Sequence, residues 1–168
     1  MTFMEGMTML DLLKEVRVCK GCTEAELQEI AKICERVTFR NGERVFEAKH
    51  PAEYLYVVGT GLIDLRFDVT HYLASSEITL GQIDKGGIFG WSTFAYPYLY
   101  TVSAIAVRDS ELLRIKQNDL TQVCTSNSHL GYGIMSKIAQ TISERFAVIQ
   151  EMLINEVQHG LSKDELSR

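Results

Sequence analysis

The sequence predicts a mainly β fold: a small antiparallel barrel of jelly-roll type, with helices before it and one long helix after it. Three observations carry this. Between Val37 and Ile115, short apolar or alternating runs are separated by turn signals. Ahead of that stretch, apolar residues recur at helical spacing. Beyond Ser128, an apolar residue returns every three or four positions for about six turns.

The first helical region covers about residues 8–36. Met9, Leu12, Leu13 and Val16 form one apolar stripe. Thr23 opens a second helix, and Glu26 completes a capping box: the hydroxyl takes the Glu26 amide while the carboxylate reaches back. Leu27, Ile30, Ala31 and Ile33/Cys34 supply its buried stripe.

The barrel covers about residues 37–116. Asn41-Gly42 is a turn dipeptide. Tyr54–Val58 is rich in β-formers, Gly59-Thr60-Gly61 ends it, and Leu62–Phe67 reads as the returning strand. Ile78–Ile83, Thr101–Val107 and Glu111–Ile115 are further strands, the last two joined by a turn at Arg108-Asp109-Ser110. His71 falls in a loop between strands.

The C-terminal helices cover about residues 118–159. Asn118-Asp119 caps a short helix containing Leu120 and Val123. The long helix starts near Ser128, Gly160 ends it, and Leu161–Arg168 is a loose tail. Its stripe outruns what a small barrel can cover. A parallel helix pair across a two-fold axis, with Ile134, Ile138, Ile142, Ile149 and Met152 in the seam, uses the excess. The alternative is a helix folded back on its own barrel.

Composition narrows the function. The 168 residues fit one domain, 1–168, with 46% hydrophobic and 23% charged residues in the ordinary globular range. A net charge of −5, with Lys and Arg scattered, argues against direct nucleic-acid binding. The N-terminus does not read as a signal peptide, and no apolar stretch approaches a membrane span of about 18 residues. A cytoplasmic protein with reduced cysteines and no membrane partner is expected. No nucleophile elbow, phosphate loop or zinc-protease helix occurs, so an enzyme is not expected. The four histidines lie far apart without helical pairing.

The order of elements and several local motifs resemble the cyclic-nucleotide-binding domain of the bacterial catabolite activator and fumarate-nitrate regulator superfamily. Gly42–Phe46 looks like its entry strand. Tyr54–Ile63 looks like its hairpin, with Gly61 supplying an angle that side chains resist. Gly87–Ser92 through Thr101–Ala104 looks like its phosphate-binding cassette, and Ser110–Ile115 like its last strand. The resemblance runs from about Leu12 to Leu153 and implies a double-stranded β-helix (jelly-roll) barrel. Members that regulate transcription carry a helix-turn-helix after the long helix. The chain ends about where that unit would begin, so a stand-alone sensor that passes its output to a separate protein is expected, with a transcription-regulator relative lacking its DNA-binding domain as the alternative.

The resemblance also implies a binding site at Phe89, Gly90, Trp91, Ser92, Tyr100 and Thr101. In relatives that bind cyclic nucleotides, a glycine-led turn presents amides to the phosphate, a glutamate holds the ribose, and an arginine followed by Ser or Thr neutralises the phosphate. Gly90 and Thr101 keep their places, but Trp91 stands at the glutamate position and Tyr100 at the arginine position. Charge-assisted hydrogen bonds contribute about 1.5–3 kcal/mol each, so losing both anchors weakens such a site severely. Three readings stay open: cyclic AMP or cyclic GMP as effector, a less charged or aromatic effector among Trp91, Phe94, Tyr96, Tyr98 and Tyr100, or a filled barrel serving as an interaction scaffold. No cofactor is required by any of them. Some relatives hold an iron–sulfur cluster on N-terminal cysteines. Cys19 and Cys22 read first as small core residues, with a redox pair or a metal site as alternatives.

Overall fold

The computed structural model describes residues 8–71 and 74–165. Helix α1 (Met9–Glu15) opens on a capping box, in which Thr8 Oγ accepts the Asp11 amide at 3.2 Å and the Asp11 carboxylate accepts the Thr8 N–H at 3.1 Å. A 3₁₀ turn, Arg17–Cys19, leads to α2 (Glu24–Ile33). The Thr23–Glu26 box forms there, with the Thr23 N–H donating to the Glu26 carboxylate at 2.7 Å. Cys34 does not continue the stripe of α2. It has extended backbone angles and pairs with Ile115, because a six-residue ladder outcompetes another half-turn of helix.

Among the described residues eight strands follow: β1 (Cys34–Phe39), β2 (Arg44–Phe46), β3 (Tyr54–Thr60), β4 (Ile63–His71), β5 (Ala74–Ile83), β6 (Ile88–Phe89), β7 (Ser103–Ala106) and β8 (Ser110–Lys116). They form two antiparallel four-stranded sheets, ordered β1-β8-β3-β6 and β2-β7-β4-β5. This is the jelly roll, and it corrects two local expectations. Tyr54–Ile63 is not a hairpin: β3 pairs with β8 and β6, whereas β4 pairs with β5 and β7. Arg108–Ser110 likewise carries the chain from one sheet to the other. Gly61, at φ +98°, makes the first of these crossings where a Cβ would overlap Ser110. His71 ends β4 in register with Ala74 and does not lie in a loop.

The alternation of β3 and β8 explains the continuous apolar run at Tyr54–Val58. Tyr56, Val58 and Leu112 face the second sheet and pack with Ile63, Ile83, Phe89, Ala104 and Ala106. Leu55, Val57, Leu113 and Ile115 face outward beneath the helices, against Leu13, Leu27, Ile30 and Leu120. That sheet is apolar on both faces because it has a barrel interior on one side and a helical layer on the other.

Helix α3 (Gln117–Ser126) begins one residue ahead of Asn118, with Lys116 at its cap and the Gln117 N–H bound to Glu53 O at 3.0 Å. Asn127 Oδ1 then accepts the Leu130 N–H at 3.1 Å and starts α4 (Ser128–Glu165). Gly160 does not stop α4, which continues to Glu165; an internal glycine costs about 1 kcal/mol but removes no backbone hydrogen bond. Of the expected tail, Leu166–Arg168 lie outside the described residues.

Leu130, Ile134 and Ile138 are buried in the helical side of the chain's own core. Ile134 and Ile138 are therefore unavailable to a partner, contrary to their expected place in a dimer seam. From Ile142 onward the apolar residues emerge, with Phe146, Leu153 and Val157 more than half exposed. None of the helices described is long and apolar enough to cross a membrane.

Candidate effector site

The cassette begins at Gly90, whose φ is +85° and whose Cβ, if present, would stand 2.8 Å from Tyr54 O. Only glycine meets both conditions. The turn it makes starts the 3₁₀ segment Trp91–Phe94 and lifts Trp91 out of the barrel interior toward α4.

Between the β4–β5 sheet, the cassette and α4 lies a cavity of about 530 Å³. Leu65 and Phe67 line it from β4, Leu80 and Ile83 from β5, Trp91, Thr101 and Val102 from the cassette, and Arg145, Val148 and Ile149 from α4. Its size falls in the range of small-molecule sites, and its walls are apolar with few polar groups, as such sites commonly are.

Two of the six expected ligand-binding residues, Trp91 and Thr101, thus border the cavity. Phe89 and Tyr100 do not. Phe89 is fully buried in the barrel, stacked 5.2 Å from Tyr56. Tyr100 is 4% exposed, stacks on Phe46 with ring centroids 3.7 Å apart, and clips Tyr54: its hydroxyl donates to Tyr54 O at 3.1 Å and accepts from the Tyr54 N–H at 3.3 Å. Tyr100 thus belongs to the barrel core, while the next residue, Thr101, borders the cavity. Ser92 is outside the lining; its carbonyl accepts the Ala95 N–H. Tyr96 and Tyr98 meet edge-on at the surface, 87% and 50% exposed, so the aromatic run at Trp91–Tyr100 does not converge on one pocket.

The charged member of the site is Arg145, which the sequence reading missed. Its Nη2 donates to Ile88 O at 2.6 Å, and its guanidinium carbon sits 4.5 Å from the Trp91 ring centroid. Burial and the nearby Arg17 charge pull Arg145 down to about 10. Among the described residues, its Nη1 is buried without a hydrogen-bond acceptor. The neighbouring carboxylates are turned elsewhere, Asp84 to Arg17 at 3.8 Å and Glu144 to Gln140 at 3.0 Å. A signal for Arg145 did exist: it lies one turn from Thr141 and Ile149, a charge set beside an apolar stripe. Arg66 pairs with Asp64 and Glu77, each at 3.1 Å, and Arg108 is an exposed turn residue.

The cysteines are free thiols packed in or against the helical core, and burial pushes Cys19 and Cys34 up to about 12. That is the reverse of an activated thiolate. Among the described residues no cluster of His, Cys, Asp and Glu could hold a metal ion.

The family model described as the cyclic nucleotide-binding domain matches residues 36–127, more than half of the chain. No curated protein matches. A solved structure from Geobacter metallireducens GS-15, described as a candidate cyclic nucleotide-binding protein, is 26% identical, with 83% of this chain and 99% of that one covered at a TM-score of 0.68. The catabolite activator protein of Thermus thermophilus is 23% identical over 82% of this chain and 62% of its own, at a TM-score of 0.66. The regulatory subunit of a cAMP-independent protein kinase A from Trypanosoma brucei shares the fold at 14% identity, over 87% of this chain and 50% of that one, at a TM-score of 0.70. With its two four-stranded sheets, its glycine-led cassette and its long terminal helix, the chain belongs to the cyclic nucleotide-binding domain family.

Proposed function

We propose that this domain is an effector-sensing regulatory module that binds a small molecule other than a cyclic nucleotide and signals through α4. The observation that carries the reading is the 530 Å³ cavity roofed by α4, with apolar walls and neither of the charged anchors that a cyclic nucleotide needs. Trp91 occupies the ribose-binding position and packs against Arg145, and Tyr100 is committed to the barrel core. The fold does not fix the ligand: it serves a catabolite activator and a kinase subunit described as cAMP-independent alike.

The output side is a helix pair. At about 100° per residue, Ile142, Phe146, Ile149 and Leu153 fall within about 60° of one another and form a seam. Arg145 and Val148 lie roughly 100° away, on the cavity side, Met152 lies on the same flank beyond the cavity wall, and Ile149 borders both seam and cavity. The seam proposed takes Phe146 and Leu153, 59% and 64% exposed, and leaves Met152 at its flank. A parallel dimer through this seam would present α4 to a downstream protein.

The test is thermal unfolding with cyclic AMP, cyclic GMP and a metabolite panel at millimolar concentration. A ligand at about a hundred times its dissociation constant adds about 2.7 kcal/mol of stability. The reading expects no shift with either cyclic nucleotide and a shift of several degrees with a member of the panel. A shift with cyclic AMP would replace it with the cyclic-nucleotide reading.

A further inference from the structure

Arg145 is a partly buried cation with a buried Nη1, and among the described residues it has no ion-pair partner. One face of its guanidinium is covered by Trp91, Nη2 is used by Ile88 O, and Nη1 has no acceptor among the described residues. Buried charges are ordinarily paired, and breaking such a pair is strongly destabilising. A guanidinium without an ion pair on the wall of a cavity is a place where the partner can be supplied from outside, as arginine is the usual recognition residue for carboxylates and phosphates.

We infer that Arg145 anchors the acidic head of the effector, and that the effector is a monocarboxylate with an apolar body. The inference rests on the cavity being the effector site. One cation matches one negative charge. Leu65, Leu80, Val102 and Val148 offer the rest of the molecule only apolar surface, which suits an alkyl or aryl body and not a ribose. Thr101 supplies a hydroxyl on the lining for a second carboxylate oxygen or a bridging water. The anchor has thereby moved from the cassette, where relatives keep it, to the terminal helix.

Trp91 is the chain's sole tryptophan, so its fluorescence reports on this cavity. The experiment titrates the protein with octanoate and, separately, with 1-octanol, which has the same body without the charge. Octanoate is expected to bind at least tenfold more tightly than octanol. Arg145→Gln is expected to erase that preference while leaving octanol affinity unchanged, and Arg145→Lys to keep most of it. Cyclic AMP at millimolar concentration is expected not to displace octanoate. Equal affinity for the two probes, or a preference that survives Arg145→Gln, overturns the anchor and leaves the cavity as an effector site. Binding of neither probe overturns the anchor and the cavity reading together. Displacement of octanoate by cyclic AMP at micromolar concentration overturns the carboxylate and assigns Arg145 to a cyclic phosphodiester. The octanoate–octanol comparison on the unaltered protein needs no variant to fold.

Discussion

Replacing Tyr100 with Phe separates a structural cassette residue from a ligand-binding one. The ring would keep its place on Phe46, since the 3.7 Å stacking involves no hydroxyl. What disappears is a pair of hydrogen bonds, one donated to Tyr54 O at 3.1 Å and one accepted from the Tyr54 N–H at 3.3 Å. Each contributes about 1 kcal/mol net, and more where the backbone group left behind is buried, so the loss is about 1–3 kcal/mol. For a chain of this length that corresponds to roughly 2–12 °C in Tm. Scanning calorimetry gives the stability change, and the octanoate titration gives the site. The expected result is a lower Tm with unchanged affinity, because Tyr100 is not part of the cavity wall. A change below about 0.5 kcal/mol, or a large loss of affinity at unchanged stability, would refute the placement. The tempting repair, Tyr100→Arg, fails by the same geometry. It puts a charge in a 4%-exposed slot among aromatic rings and is expected to cost more than about 3 kcal/mol, with no cyclic-AMP binding gained.

Gly90→Ala combines a φ of +85° with a Cβ 2.8 Å from Tyr54 O, so it should cost about 2 kcal/mol or more and displace Trp91, read as a change in tryptophan emission. Phe146→Glu with Leu153→Glu should abolish the proposed dimer in sedimentation velocity while leaving the Trp91 signal intact. Alkaline pH should destabilise the protein through its buried thiols. With Cys19 and Cys34 raised from 9.0 to about 12 in the folded state, their contribution is complete below pH 9 and is lost as pH rises toward 12. At pH 10 each thiol accounts for about 1.4 kcal/mol, and a Cys19→Ala/Cys34→Ala variant should show a smaller fall in urea midpoint between pH 8 and pH 10.

The parts of the fold set by local rules were legible in the sequence. The Thr23–Glu26 box, the strand at Tyr54–Val58 and the start of α4 at Ser128 each depend on a few neighbouring residues. Strand partners were not legible: Gly59–Gly61 looks like a hairpin turn, yet the chain crosses there from one sheet to the other, because pairing is decided by distant segments such as Ser110–Lys116. The same limit governed the site. A cassette match assigns Tyr100 by position, but the irregular segment ahead of β7 buries it against Phe46 and Tyr54, and a one-residue step separates the barrel core from the cavity. Arg145 escaped because it stands more than forty residues beyond the cassette, on a helix read only for its apolar stripe.

Its location bears on how binding could reach the seam. An anchor on the cassette pulls the cassette toward the ligand, and the helix follows through packing. An anchor at Arg145 places the ligand's charge on α4 itself, one residue from Phe146 and four from Ile149. The bond from Arg145 to Ile88 O ties α4 to β6 in the absence of ligand, and a carboxylate would compete with that carbonyl for the guanidinium. Binding would therefore loosen one tie between helix and barrel while the apolar body adds contacts at Val148. A ligand shifts the helix only by as much as it binds the two arrangements differently. The carboxylate end provides such a difference, because Arg145 can serve Ile88 O fully in one arrangement and the ligand fully in the other. Octanol, lacking the charge, should fill the cavity without altering the dimerisation constant, whereas octanoate should change it, and by linkage dimerisation should change octanoate affinity by the same factor.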